Sequence, residues 1–337
     1  MQLREVDDRN SVKWVLIAKG IGIILVVVGH FYPQPSPAYW TGIRHIIYSF
    51  HMPLFFILSG YLYSHDKYSY SNLIKTKAKR LLYPFATIAG TFFLIKYPVG
   101  QVINLEYPVN IDSLYTLLAD PVRSFMPLLW FIHALFLVFA IYPLARLFLN
   151  SLSILLLLLA INVFLGNDYL VFGKAIANMP FFVVGVMLRE NGTLSKMAIS
   201  ADWRYVFVPL VMFVLAYVIR LSISIDPGHK YPAQFFLGVI GSLFVINSSQ
   251  AISTLSEVKM KGVLIQVGYY SMSIYLFHTL FESMVRIGFL QIFKNLQAPF
   301  GLIAFIAITC GVVFPLVLEK KVLRKYWVTR KFVLGLA

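Results

Sequence analysis

Residues 14–33 read WVLIAKGIGIILVVVGHFYP, an apolar run interrupted by one basic side chain, Lys19, and one imidazole, His30. A helix needs about 20 mainly apolar residues to cross about 30 Å of hydrocarbon, and this stretch supplies them. It is too long for the apolar core of a cleavable signal peptide, and no A-x-A-like site closes it. The two polar residues are eleven positions apart. At 100° per residue that separation is within about 20° of three full turns, so both project from one helix face about 16 Å apart.

Applied along the chain, the same rule predicts ten spans: 14–33, 44–64, 81–103, 127–149, 151–166, 173–189, 205–223, 234–251, 264–287 and 298–319. The fifth and sixth are short and joined through Gly166-Asn167-Asp168. Long continuous runs fit helices and lack the alternation of a barrel strand. The expected fold is therefore all-α and polytopic, with about ten transmembrane helices.

Composition agrees. Of 337 residues, 59% are hydrophobic and only 13% charged, too few to coat water-facing domains of this size. Cys310 is the single cysteine, which excludes a disulfide framework. The net charge of +15 is distributed by side. With the N-terminus inside, cytoplasmic segments hold 20 Lys and Arg and the opposite loops eight. That bias places both termini in the cytoplasm and adds attraction to anionic lipid. Nucleic acid is not an expected partner.

Ionisable groups at membrane depth are costly and so mark function. Besides Lys19 and His30, the outer half of the spans holds His51, His133 and His278. Imidazole exchanges a proton near neutral pH, as acid–base catalysis requires. The ninth span carries Ser271, Tyr275, His278 and Glu282 as one polar stripe, in which Glu282 can orient His278 and Tyr275 can donate a hydrogen bond. On the fourth span Trp130 and His133 share a face, with Trp130 a stacking platform for a sugar. Each has a plainer alternative: Lys19 snorkelling, histidines bonded in a core, Trp130 in an interfacial belt. Lys75, Lys77, Lys79 and Arg80 precede Leu81 as a basic cluster suited to a phosphate-rich ligand, or as simple positive-inside charge.

These residues resemble the integral-membrane acyltransferase family 3, especially its fucose 4-O-acetylase-like branch. Three stretches carry the likeness: Ala18-Lys19-Gly20-Ile21-Gly22 running to Gly29-His30; Ser49-Phe50-His51-Met52-Pro53-Leu54-Phe55-Phe56 running to Ser59-Gly60-Tyr61; and Lys77, Arg80, Leu81 and Pro84. Leu129-Trp130-Phe131 and Ser273 to His278 are weaker echoes. The resemblance implies a membrane O-acyltransferase moving an acetyl or other acyl group from cytoplasmic acyl-coenzyme A to a hydroxyl of a polysaccharide or lipid-linked glycan. It implies His30 as the essential histidine, Lys19 as its basic partner, and Lys77 and Arg80 as coenzyme A ligands.

The expected site is thus His30, Lys19, His51, His278 and Glu282 for catalysis. Lys77, Lys79 and Arg80 hold acyl-CoA (acetyl-CoA), and Trp130, His133 and Tyr275 hold the carbohydrate acceptor. Acetyl-CoA is a donor substrate; no tightly bound cofactor and no metal is expected. The chain is expected in the cell inner (cytoplasmic) membrane as one multi-pass domain over 1–337. A short tail over 320–337 and no fused extracytoplasmic domain complete the expectation. A proton-coupled transporter or lipid-glycan flippase is the alternative, since it too buries Lys and His along a path. A zinc site built from the histidines is the third.

Overall fold

The computed structural model describes residues 9–33, 35–65, 69–100, 109–164, 170–222, 230–256, 259–292 and 299–336. Among these residues every regular element is helical. This is the arrangement by which backbone in hydrocarbon satisfies its own hydrogen bonds. The chain runs through α1 (Arg9–His30), α2 (Ala38–Tyr48), α3 (His51–Tyr61) and α4 (Tyr70–Lys77) into a π-helical turn (Ala78–Leu82). It continues through α5 (Tyr83–Gly100), α6 (Asp112–Ala119), α7 (Trp130–Ala145), α8 (Ser151–Phe164), α9 (Leu170–Glu190) and α10 (Gly192–Ala198). It closes with α11 (Arg204–Ser222), α12 (Lys230–Thr254), α13 (Lys259–Tyr269), α14 (Ser271–Ile292), α15 (Phe300–Leu318) and α16 (Trp327–Phe332).

Six helices among the described residues are long and apolar enough to cross a membrane: Lys13–His30, Pro127–Ala145, Phe172–Glu190, Arg204–Ser222, Tyr231–Thr254 and Phe300–Leu323. These match six of the ten expected spans, and the chain is a membrane protein. The other four segments are broken or short. The run 44–64 is divided at Ser49–Phe50, where both amides donate only three residues back, to Ile46 and Ile47. The Ser49 hydroxyl also donates to the Ile46 carbonyl (2.6 Å), and such a tightened turn re-aims the helix that follows. The run 264–287 divides at Tyr270 and begins earlier, at Lys259. The run 81–103 starts from a π-helical turn, and 151–166 is a helix of 14 residues. The expected joint Gly166-Asn167-Asp168 lies outside the described residues, as do Arg4, Lys67, His229 and Lys294.

The chain forms two compact units. The first comprises Met1–Leu58 and Leu188–Val322, the second Ser59–Met187 and Leu323–Ala337.

In the first unit α1 is central, packed by α12, α13 and α14. A Cβ on Gly20 would collide with the Leu264 carbonyl, and one on Gly268 with the Leu16 carbonyl, so α1 and α13 touch backbone to backbone. Small residues permit this approach, which is how helices gain packing energy in lipid. Ten residues beyond each glycine stand His30 and His278. Equal rise along parallel helices brings the two imidazoles to one level. Beyond them Phe31, Ala304 and Ala307 form an apolar cluster against Trp40 and Phe300. By contrast, only 11% of the α11 span is buried, against 56% for α1, so α11 is a lipid-facing helix.

In the second unit Tyr63, Phe139, Tyr142 and Phe182 interlock, with Tyr142–Phe182 and Tyr63–Tyr142 ring centroids 5.2 and 5.5 Å apart. Gly60 sits against the Phe182 carbonyl, where any side chain would intrude. We predict that Gly60→Ala separates α3 from α9 and costs about 1–3 kcal/mol or more, the penalty of overpacking. Gly90 faces open space, so Gly90→Ala serves as the matched control. Thermal midpoints followed by size-exclusion chromatography in detergent should fall for the first variant and hold for the second.

The segment expected as a short tail is folded onto this unit. Phe332 stacks on Tyr83 (5.6 Å) and accepts a hydrogen bond from the Thr87 hydroxyl (2.9 Å). Gly335, at φ 63°, lies directly on the backbone of Lys79 and Arg80.

Candidate active site

At the C-terminal end of α1, three imidazoles gather in the first unit. The His30 and His278 rings meet edge to face with centroids 5.1 Å apart. The Tyr48 ring lies 6.0 Å from His30 and 5.0 Å from His51, and so links them. The sequence thus brings together three of its four membrane histidines.

Each imidazole is held the same way. The Nδ1 atom of His30 lies 2.8 Å from the Val26 carbonyl, one turn back on α1, and that of His51 lies 2.8 Å from the Ile47 carbonyl, across the break between α2 and α3. His278 Nδ1 lies 2.9 Å from the carbonyls of Ile274 and of Tyr275. A carbonyl only accepts, so in each case Nδ1 carries the proton and donates it. The neutral ring therefore presents an unprotonated Nε2, the tautomer of a proton acceptor. His278 Nε2 is buried with no hydrogen-bond partner.

Glu282, one turn beyond His278, is buried, and its Oε1 also has no hydrogen-bond partner. The expectation that Glu282 orients His278 is corrected here: backbone carbonyls of α14 hold the ring, and Glu282 is aimed elsewhere. It is packed tightly against Gly311 of α15, where a Cβ would lie 2.9 Å from Glu282 Cγ. Buried polar atoms are almost always paired, so two a turn apart that take no partner from the protein leave hydrogen-bonding capacity free at this place. A cavity of about 120 Å³ lies here, lined by His30, Tyr32, Thr279, Glu282, Ser283 and Arg286. That volume holds a reacting group and a few waters, since one water occupies about 30 Å³.

Arg44 braces the cluster. Its Nε donates to the Gly29 carbonyl (2.7 Å), which also accepts from the Tyr48 hydroxyl (2.9 Å). Its guanidinium lies 3.6 Å from the Tyr32 ring centroid. Two groups thus occupy the last carbonyl before His30, fixing the end of α1. Arg44 and Arg286, at the outer ends of the expected spans 44–64 and 264–287, count in the sequence only toward the charge of the outer side. The available signal was their spacing, since Arg44 and Tyr48, like Glu282 and Arg286, are four apart on one helix face.

The remaining expected residues are placed as follows. Lys19 is half-buried on α1, about 16 Å along the axis from His30. Tyr275 is buried and gives its backbone carbonyl to His278. Trp130 and His133 belong to the second unit, where Lys174 Nζ lies 6.0 Å from the Trp130 ring and His133 packs 6.2 Å from Phe85. In that unit the basic cluster is divided. Lys77 turns inward, its Nζ 3.6 Å over the Phe139 ring, while Lys75, Lys79 and Arg80 are exposed. Lys79 and Arg80 sit on the π-helical turn, an element frequent at functional sites. No three His, Cys, Asp or Glu side chains among the described residues are placed to share a metal ion.

The family model described as an acyltransferase domain matches residues 12–318. A nodulation protein, NolL of Mesorhizobium japonicum, is 29% identical over 213 residues, covering 59% of this chain and 52% of that protein. The match thus spans about half the length of this curated relative. No solved structure matches significantly.

Proposed function

Because the chain belongs to the acyltransferase family whose model covers residues 12–318, we propose that it moves an acetyl or other acyl group from cytoplasmic acyl-coenzyme A to a carbohydrate hydroxyl. The acceptor is a polysaccharide or lipid-linked glycan. The observation that carries this reading is the His30–His278 pair beside Glu282, with Nε2 of each ring free of its own helix.

In this reading His30 Nε2 takes the proton of the acceptor hydroxyl as the oxygen attacks the thioester carbon. The carbon–oxygen bond forms, the carbon–sulfur bond breaks, and the imidazolium returns the proton to the departing thiolate. Glu282 receives and steers the hydroxyl or balances the imidazolium charge, and His278 and His51 hold the ring's surroundings. Lys19 stabilises negative charge along the donor's path. Lys79 and Arg80, exposed on the π-helical turn, take the phosphates of coenzyme A, with Lys77, turned onto the Phe139 ring, as a neighbouring positive charge that joins them by leaving that ring; Trp130, His133 and Tyr275 are further acceptor contacts. About ten spans, both termini cytoplasmic, and residence in the inner membrane as a multi-pass protein complete the proposal, supported by the Lys and Arg bias between loops.

Binding of acyl-coenzyme A to the purified protein tests the reading against a transporter or flippase, which has no use for that ligand. Saturable binding is expected; its absence would favour transport. The double variant Lys79→Gln/Arg80→Gln should raise the KM for the donor about tenfold or more, the worth of charge-assisted phosphate contacts, with kcat little changed. Initial rates against donor concentration in proteoliposomes check this.

A further inference from the structure

A second cavity of the first unit, about 330 Å³, is lined by His45, Tyr48, Tyr217, Arg220 and Gln234 among others. Its volume lies within the range of ligand pockets, about 300–1,000 Å³, which the smaller cavity at Glu282 does not reach. We infer that this cavity is the acceptor site and that it takes a saccharide bearing an anionic group. This rests on the reading of the chain as a sugar acyltransferase.

The chemistry of the lining argues for it. Arg220 is the strongly charged group, and no carboxylate among the described residues lines the cavity to neutralise it. A guanidinium binds carboxylate or phosphate through two parallel hydrogen bonds. Tyr217 is stacked on Phe213 at 6.1 Å with the rings 20° from parallel, and Phe213 in turn meets Phe50 edge to face at 5.4 Å. That chain of rings fixes Tyr217 as a rigid aromatic surface on which the C–H face of a pyranose can lie. Gln234 and His45 supply donors and acceptors for hydroxyls.

The position argues for it too. Tyr48 lines this cavity, and its ring is also the neighbour of both His30 and His51. A sugar held on Tyr217 and Arg220 is therefore one side chain from the reacting imidazole, and its acceptor hydroxyl comes within hydrogen-bond reach of His30 by extending past the Tyr48 ring. Tyr48 is held by hydrogen bonds of its hydroxyl to the Gly29 carbonyl and from Arg44.

The test uses the purified full chain in lipid nanodiscs without acyl donor. Three probes are compared by ligand-observed NMR titration: methyl glucoside, glucuronic acid and glucose 1-phosphate. The anionic sugars are expected to bind about tenfold or more tighter than the neutral one. Arg220→Gln should abolish that preference, Arg220→Lys should retain part of it, and Tyr217→Ala should weaken all three. The tighter of the two anions tells a sugar carboxylate from a phosphate-linked carrier. Equal binding of all three probes by the wild type, or a preference that survives Arg220→Gln, overturns the proposal. No donor is present, so the outcome is independent of acyl transfer. Arginine-dependent binding in a protein that never transfers an acyl group would sink the function proposed above and leave this site standing.

Discussion

His30→Ala is expected to lower acyl transfer by at least about 10²–10⁴-fold, the usual worth of a positioned general base, while leaving the protein folded. The folded state should survive because His30 is only half-buried and lines a cavity rather than filling a core position. Its Nδ1 bonds to the Val26 carbonyl of its own helix, so removing the ring costs the ring contacts with His278 and Tyr48 but no hydrogen bond to another element. What is lost is Nε2, the ring nitrogen left to accept a proton while Nδ1 is bonded, on the residue of α1 that lines the cavity. His278 does not substitute, because it is fully buried and is not among the residues that line the cavity. Steady-state rates with a matched thermal melt separate the two possibilities: a full rate in the variant would remove His30 from the chemistry.

Glu282→Gln is expected to reduce kcat by about 10²-fold with little change in KM for the donor, in line with removal of one preorganised electrostatic group. Glutamine has nearly the same shape, so the tight seat against Gly311 is kept. It also retains an acceptor oxygen for a hydroxyl, but it cannot exchange a proton. The carboxylate lies one turn beyond His278, in the cavity that His30 lines, and its Oε1 is buried without a partner. A residue buried only for packing would be satisfied by its neighbours. A kcat that stays at the wild-type value in Glu282→Gln would make this carboxylate a bystander. A parallel drop in thermal midpoint would mark it as structural instead.

Much of this was legible from sequence because the bilayer constrains so strongly. An apolar run of twenty residues can only be helix there, and helical arithmetic placed Lys19 and His30 on one face. The shared outer depth of His30, His51, His133 and His278 did not say which of them meet, because depth carries no information about which helices are neighbours. The breaks at Ser49–Phe50 and Tyr270 were hidden, since hydropathy runs on unbroken while the change lies in three-residue backbone bonds. Arg44 was invisible for another reason. A basic residue at the outer end of an expected span counts toward topology, and its spacing from Tyr48 does not say that its guanidinium folds back onto Gly29 and Tyr32. The partner of Glu282 was misread because i and i+4 residues on a helix share a face without having to bond. The Ser59-Gly60-Tyr61 motif found a plain structural cause in the contact of Gly60 with the Phe182 carbonyl.

The most direct trial of the central claim feeds isotope-labelled acetyl-coenzyme A to the cytoplasmic face of membrane vesicles and follows surface glycans by mass spectrometry. Vesicles with the wild-type chain should gain glycans heavier by one labelled acetyl group, released by mild base as an ester, and vesicles carrying His30→Ala should not. Glycans that stay unlabelled with the wild type, or that label equally with the variant, would contradict a histidine-run transfer from thioester to sugar.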